Sequence, residues 1–287
     1  MCKYLKLLLL NFLKLLLLII SLYCSSSLSA QVEYDGSDCI NKQFQVIAHV
    51  AVDSAMRAPL YTQDTIATIL SLTSEYFNRI CLSYTLCEYH VLEDDYTLGI
   101  IKSQPVAVET RLRELRNRFS MRRRINIFFL ESIADAECGT GTYQGISTLL
   151  DANVFLERDC EEGLHQQLAH QLGHVLGLLD TYSAEDIELA DGSNCATVAD
   201  RLCDTPADPY GQTYVSAQDS IRLLTEEIVT EFISECAFIY ELRDPNDDFY
   251  NPLVGNIMSG YPCKCFFTQR QLDLMLSNYK QSPIKHF

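Results

Sequence analysis

The segment HQLGHVLGLLD, from His170 to Asp180, places two histidines four residues apart and ends on a carboxylate. Leucines recur at every fourth position through this region, which predicts a helix over 164–176 with one apolar stripe. On such a helix, the side chains of His170 and His174 lie on one face, about one turn apart. Two neutral imidazoles that converge in this way are the core of many zinc sites.

A glycine and a carboxylate complete the pattern after the helix. Glycine readily adopts the left-handed conformation that ends helices, so we expect a sharp turn at Gly177. This turn brings Asp180 back toward the histidines, and a carboxylate oxygen ligates zinc at about 2.0–2.2 Å. The alternative is a pair of helix histidines on a polar face without a metal. We favour the first interpretation: His170, His174 and Asp180 bind one zinc ion, with a water or ligand in the open position.

The segment resembles the extended motif HExxHxxGxxH of the metzincin metallopeptidases. Three later segments, in the same order, are similar to elements of the pappalysin-like branch of that family. LCDTPADP, at 202–209, resembles its DTPA element, and NPLVGNIMSGYP, at 251–262, resembles its Met-turn. CKCFFTQRQ, at 263–271, resembles the cysteine-plus-FTxxQ stretch that follows. The resemblance spans roughly 164–275 and is carried by these elements jointly.

The resemblance implies an α+β domain made of two subdomains with a cleft between them. An upper subdomain, about 44–179, would contain a mixed twisted sheet with helices and would end with the zinc helix. A lower subdomain, about 180–287, would be irregular and tied by disulfides. It would carry the Met-turn, with Met258 beneath the metal, and the cleft would take a protein or peptide ligand.

The sequence departs from the family pattern at the position of the general base. The family has a glutamate after the first histidine, which takes a proton from the attacking water, whereas this chain has Gln171. An amide can orient water but cannot accept its proton, and general bases typically contribute about 10²–10⁴-fold to the rate. The third ligand is an aspartate instead of a histidine, a milder change, because some metzincins use aspartate there.

A smaller departure follows the Met-turn. The family usually places a tyrosine two residues beyond the methionine, where it hydrogen-bonds the tetrahedral intermediate. This chain has Gly260 at that position and Tyr261 one residue later. Either Tyr261 stabilises the oxyanion through a shifted turn, or it only packs. Both interpretations stay open at the level of sequence.

These residues predict a secreted, pappalysin-like zinc metallopeptidase homologue that is catalytically impaired or inactive. One alternative is an active zinc-dependent endopeptidase that hydrolyses peptide bonds in proteins with some other base. A second alternative is a metal-free binding or inhibitory protein that uses the retained cleft. A measurement of bound zinc would distinguish the metal-free binding protein from the other two hypotheses. A measurement of peptide hydrolysis would distinguish the active endopeptidase from the impaired homologue.

The N-terminus has the order of a secretory signal peptide. A basic start, the apolar run LLLLNFLKLLLLII and the small-residue stretch SSSLSA precede Gln31. We therefore expect a signal peptide at 1–30, a secreted mature domain at 31–287, and no membrane contact after cleavage. A membrane anchor is disfavoured, because the apolar run is shorter than the roughly 20 residues that span a bilayer. The formal net charge of −16 argues against nucleic acid or anionic lipid as a partner.

Cysteine is abundant, with 12 residues in the chain. Because two of them lie in the expected signal peptide, an even number remains in an exported chain, and we predict that most form disulfides. The spacing leaves the connectivity open. In the lower subdomain we predict that Cys195 and Cys203 each bond to a cysteine among Cys236, Cys263 and Cys265.

Apolar periodicity predicts alternating strands and helices before the zinc helix. The expected elements are strands at 44–52 and 82–86, helices at 66–77 and 108–119, a strand in RINIFFLES, and one or two short strands within 139–159. After the zinc helix we predict a helix at 216–233. A last helix should begin with the capping-box pattern Thr268-x-x-Gln271.

Arginines are concentrated between Arg111 and Arg124. This stretch has seven arginines against one acidic residue, Glu114. The stretch is either a binding patch for an acidic partner or the solvated face of a helix and its loop. From the sequence we favour the solvated face.

Overall fold

A computed structural model describes residues 39–92, 100–101, 105–133, 139–141, 152–158, 163–183, 185–215, 221–223, 233–234, 236–239 and 241–282. Cys39–Phe287 forms one compact unit. The predicted signal peptide lies outside the described residues. Within those residues, no helix combines the length and the apolar character needed to cross a membrane.

A five-stranded sheet forms the centre of this unit, in the order β2–β1–β4–β7–β6. Its strands are β1 (Lys42–Ala51), β2 (Leu82–Leu92), β4 (Ile125–Leu130), β6 (Gly139–Gly141) and β7 (Ala152–Glu157). Neighbouring strands are parallel, except that β6 runs antiparallel to β7. A separate parallel pair joins β3 (Ile100–Ile101) to β5 (Ser132–Ile133). The sheet is therefore mixed, as predicted.

Helices accompany the sheet in an α+β architecture. They are α1 (Gln63–Glu75), α2 (Pro105–Phe119), α3 (Leu164–Val175) and α4 (Gln269–Gln281). α3 contacts β7 and α1, so the predicted zinc helix is packed against the sheet and a neighbouring helix. α4 begins at the N-cap Thr268 with the predicted capping box, in which the side chain of Gln271 accepts from the N-cap backbone.

The sheet has apolar side chains on both faces, and helices cover both. Every residue of β4, INIFFL, is buried. Ile127 and Phe129 belong to the cluster that contains buried residues of α1, α3 and α4. Phe128 belongs instead to a second cluster with Leu112 and Leu115 of α2. Successive side chains of a strand point to opposite faces, so one short apolar strand supports both layers.

The predicted strands and helices before residue 177 are confirmed, with boundaries shifted by a few residues, and β2 is longer than predicted. The predicted helix at 216–233 is wrong at 221–223 and at Ile233, which lie in strands, and the other residues of that prediction lie outside the described residues. Ile221–Leu223 forms β9, which pairs antiparallel with β8 (Thr213–Val215), and Ile233–Ser234 forms β10, which pairs with β11 (Ala237–Phe238). Short apolar runs fit either structure, and the strand partners that decide between them do not show in periodicity.

Disulfides cross-link the described residues. The pairs are Cys39–Cys81, Cys195–Cys203 and Cys236–Cys263. Cys265 is also disulfide-bonded, whereas Cys87 is free. The prediction of a cross-linked second half is confirmed, but the partners predicted for Cys195 and Cys203 are wrong. These two bond to each other because turns within the eight-residue separation bring their Cα atoms to 5.1 Å.

Candidate metal centre

The structure brings the three predicted ligands to one point. The Nε2 atoms of His170 and His174 lie 3.1 Å apart, with the two rings nearly perpendicular. Asp180 Oδ1 lies 3.3 Å from Nε2 of His170 and 3.4 Å from Nε2 of His174. Among the described residues, this is the only group of three or more side chains placed so that they could hold one metal ion.

Backbone hydrogen bonds fix the orientation of both imidazoles. His170 Nδ1 lies 2.9 Å from the carbonyl oxygen of Ile257, and His174 Nδ1 lies 3.0 Å from that of Leu178. A carbonyl oxygen can only accept, so each Nδ1 carries the proton and donates it. Each Nε2 therefore presents a lone pair toward the other ring and toward Asp180. Zinc-ligating histidines typically donate their second nitrogen in this way.

The donor set fits a tetrahedral zinc ion. With ligand distances of about 2.0–2.1 Å, two ligands of a tetrahedral zinc are separated by about 3.3 Å, and the three observed separations are 3.1, 3.3 and 3.4 Å. Asp180 Oδ1 is buried without a hydrogen-bond partner. Three lone-pair atoms at this distance repel one another unless a cation or a proton lies among them.

The protonation of the three groups follows from burial and mutual charge. Burial lowers the pKa of His170 to about 3, so this imidazole stays neutral at pH 7. Burial also acts to lower the pKa of His174, but the neighbouring carboxylate of Asp180 raises it above its ordinary value. Burial acts to raise the pKa of Asp180, but His174 holds it below its usual range. The cluster therefore holds one neutral imidazole and one imidazole paired with a carboxylate.

The turn after α3 has the predicted glycine geometry. Gly177 has φ 89°, in the left-handed region. The amide of Leu178 donates to the carbonyl of Gly173, and the amide of Gly177 donates to that of His174. These bonds close the helix end, and they place Leu178 where its carbonyl accepts from the His174 ring.

The methionine of the predicted Met-turn lies directly against the helix that carries the histidines. Met258 is fully buried, and a Cβ atom added to Gly173 would stand 2.5 Å from its sulfur. A side chain at 173 would therefore force the side chain of Met258 to move, and glycine permits this close approach. Sequence reasoning did not single out Gly173. A glycine inside a helical pattern was the signal that could have identified it.

A buried carboxylate, Asp208, connects three segments around the site. It accepts hydrogen bonds from the hydroxyl of Thr181 at 2.8 Å, the hydroxyl of Tyr261 at 2.9 Å and the amide of Tyr210 at 3.0 Å. Thr181 directly follows Asp180, and its amide also donates to the carbonyl of Met258. Asp208 therefore holds the segment of the third ligand against the Met-turn. Its position in LCDTPADP was noted from sequence, but this role was not.

Tyr261 is fully buried, and its hydroxyl is engaged with Asp208. This arrangement agrees with the second of the two interpretations, in which Tyr261 only packs. The adjacent glycine has a steric reason: a Cβ atom at Gly260 would lie 2.5 Å from the ring of Tyr210. The departure from the family pattern at 260 thus follows from the packing of Tyr210.

Gln171 lies on α3 between the two histidines and is 3% exposed. Its Oε1 atom is buried and has no hydrogen-bond partner among the described residues. Burying an unpaired amide oxygen costs free energy, so a ligand that donates a hydrogen bond here would be stabilised. Gln171 thus has an unpaired, buried acceptor atom and no charge, at the position where the resemblance implies a general base.

Comparisons with known proteins give little direct information. No family model matches the chain, and no curated protein matches it. Among solved structures, the chain is similar to one from a "Structure of a chaperone-substrate complex", with a TM-score of 0.36 and 11% identity. That similarity covers 86% of this chain and 35% of the other, so this chain spans about a third of the length of its match.

Glu188, in the segment that follows the cluster, is a further buried titratable group. Glu188 is 2% exposed, and neither of its carboxylate oxygens has a hydrogen-bond partner among the described residues. Burial, followed by the charges of Asp200 and Asp208, raises the pKa of Glu188 from 4.5 to about 8. Between these two values the folded protein keeps a proton that the unfolded chain has released. Stability should therefore fall as pH rises through this window.

We predict that Glu188→Gln flattens this pH dependence. The amide resembles the protonated acid, so the variant should lose less stability between pH 5 and 8 and should melt several degrees higher at about pH 8. The measurement is thermal unfolding at a series of pH values, with a chelator present so that cations do not neutralise the carboxylate. Glu185→Gln, at an exposed position in the same segment, is the control. Identical pH profiles for the native chain and Glu188→Gln would contradict the assignment.

Proposed function

We propose that this chain is a secreted, pappalysin-like metzincin homologue that binds one zinc ion through His170, His174 and Asp180 and hydrolyses peptide bonds weakly or not at all. The observation that carries the proposal is the convergence of two Nε2 lone pairs and a carboxylate oxygen within 3.1–3.4 Å. Both imidazoles are locked in that orientation by backbone carbonyls, so the site is preorganised for a cation.

The surroundings of the cluster agree with the expected family layout. A mixed sheet with helices precedes the histidine helix, and a largely irregular, disulfide-linked region follows it. Met258 lies against the helix between the two histidines, as the resemblance to the Met-turn implies. These features support the metzincin-like two-subdomain fold, with the cleft as the place where a protein or peptide ligand binds.

Export is supported by the disulfides. Three disulfide bonds join described residues, and such bonds persist in oxidising compartments outside the cytosol. This agrees with the signal peptide expected at 1–30. We therefore place the mature protein outside the cell.

The chemistry at the site is limited by the proton acceptor. A bound zinc ion would supply Lewis acidity toward a carbonyl oxygen or a water molecule. The amide of Gln171 can hydrogen-bond a water or a peptide group, but it has no basic lone pair that takes up a proton near neutral pH. Within the described part of the chain, the only carboxylate in the cluster is Asp180, which is itself a ligand. With zinc bound, the site could bind and polarise a peptide, but no further carboxylate among the described residues joins the cluster to accept a proton from water.

We predict that the purified mature chain binds one equivalent of zinc. His170→Ala and Asp180→Ala should each lower zinc affinity by more than about 100-fold, because loss of a group that only hydrogen-bonds a ligand already costs about 10–100-fold. Metal content by mass spectrometry and competition with a chromophoric chelator provide the measurement. The matched control is His165→Ala, since His165 lies on the same helix but its ring stacks on Tyr76. Absence of zinc from the native chain would favour the metal-free binding protein.

We predict that the native chain cleaves peptides very slowly or not at all, and that Gln171→Glu raises chelator-sensitive cleavage by about 10²-fold or more. The substitution restores a proton acceptor with almost no change in volume. Recovery should be partial, because the charge of Asp180 makes the metal a weaker Lewis acid. The assay uses a broad peptide library at matched zinc loading.

The double variant Gln171→Glu/His174→Ala is the control for that assay, because it has the carboxylate but lacks a ligand. Robust cleavage by the native chain would contradict the assigned role of Gln171 and favour the active endopeptidase. Zinc binding without any gain from Gln171→Glu would mean that the cleft no longer supports hydrolysis.

A further inference from the structure

The last turn of α2 and the loop after it form a concentrated basic surface, the arginine patch. The arginine patch consists of Arg116, Arg118, Arg122, Arg123 and Arg124. No acidic residue occurs from 115 to 124, although the whole chain has 38 acidic residues against 22 basic ones. Positive charge is therefore segregated at one place on an acidic protein.

Carboxylates of the described residues do not neutralise these arginines. Within the described residues, none of the five forms an ion pair. The nearest pair along the chain joins Arg111 to Glu114, at 2.9 Å. Arg118, Arg122 and Arg123 are exposed. Arginines that only balanced the acidic surface would lie beside its carboxylates, and these form no such ion pair in the part of the chain that the structure describes.

Two buried asparagines hold the loop of the arginine patch in one conformation. Asn126 on β4 is fully buried and accepts from the amide of Met121 at 2.8 Å. Its side-chain nitrogen donates to the carbonyls of Met121 at 2.9 Å and Arg124 at 3.2 Å. The hydroxyl of Ser120 bonds to Asn153 on β7, which is also fully buried. Buried amides require such partners, so the loop is ordered before any ligand arrives.

Helix electrostatics explains only part of the arginine patch. Arg116 and Arg118 lie in the last turn of α2, where positive charge interacts favourably with the helix dipole. The three arginines at 122–124 follow the end of the helix, beyond the turn where this effect operates. Their concentration on an ordered loop requires another account.

We propose that the arginine patch binds a sulfated polysaccharide. The guanidinium group is a planar donor that pairs with two oxygens of an oxyanion, and the basic residues of the patch are all arginine. A sulfated polysaccharide presents sulfates at repeated spacing along a flexible chain, which suits a surface made of one helix turn and a loop. This choice of polyanion rests on the proposed export, which the disulfides support.

The negative charge of the rest of the protein does not prevent this contact. At physiological salt, charges are screened over about 8 Å. A polyanion at the arginine patch therefore responds mainly to the local positive charge. The ordered loop also reduces the conformational entropy lost on binding.

The test compares two triple variants that lose the same charge. Arg118→Gln/Arg122→Gln/Arg123→Gln removes the exposed arginines of the patch. Arg57→Gln/Arg201→Gln/Arg270→Gln, at exposed positions elsewhere, is the matched control. The native chain and the control should be retained on immobilised heparin at about 0.15 M salt, and the patch variant should elute without retention. Thermal unfolding verifies that both variants fold.

Salt dependence gives a second readout that altered folding would not imitate. Each guanidinium that displaces counterions contributes about 0.7–0.9 to the slope of log affinity against log salt, so the patch variant should lose about two to three units of slope. Equal retention of the two triple variants would overturn the proposal. Equal binding of the native chain to desulfated heparin, or tighter binding to duplex DNA or to an acidic protein, would overturn it as well.

Discussion

The hydrogen bonds from the two imidazole Nδ1 atoms to backbone carbonyls are the interactions on which the site depends. His170 donates to Ile257, the residue before Met258, and His174 donates to Leu178, the residue after the Gly177 turn. These two bonds attach the histidine helix to the Met-turn and to its own C-terminal turn. They also determine which nitrogen carries the proton, so that both lone pairs point at Asp180. The two Nε2 lone pairs and the carboxylate oxygen create a negative electrostatic potential at this point, which a divalent cation would neutralise.

The packing beneath the cluster makes this geometry rigid. Gly173 allows the sulfur of Met258 to lie against the helix backbone. Asp208 holds Thr181, and so the third ligand, close to the Met-turn, with three donors compensating the burial of its charge. The proposal that the site holds a peptide rather than cutting it depends on the uncharged amide of Gln171, which is buried on the same helix.

The sequence predicts most of what depends on local pattern. The leucines at every fourth position predicted α3, and the alternation of apolar strand and helix patterns predicted the sheet with its helices. The spacing from His170 to Asp180 predicted that these three side chains converge, as they do. The errors concern interactions that no local pattern encodes. Ile221–Leu223 is a strand because it pairs with Thr213–Val215. Cys195 bonds to Cys203 because the loop between them brings the two residues together.

The unpredicted parts of the site have the same origin. The roles of Gly173 and Asp208 arise from contacts with residues far along the chain, Met258 and Tyr261. The glycine at 260 similarly reflects the ring of Tyr210, which occupies the space of a side chain. A sequence pattern does not show which atoms meet at such positions, and the packed structure does.

X-ray absorption at the zinc edge of the metal-loaded native chain tests the central claim most directly. The account predicts light scatterers only, with two imidazole rings and a carboxylate oxygen at about 2.0–2.2 Å. His165→Ala should leave this spectrum unchanged, and Asp180→Ala should alter it. A sulfur shell at about 2.3 Å, or a spectrum with no imidazole contribution, would place the metal on other residues and contradict the account.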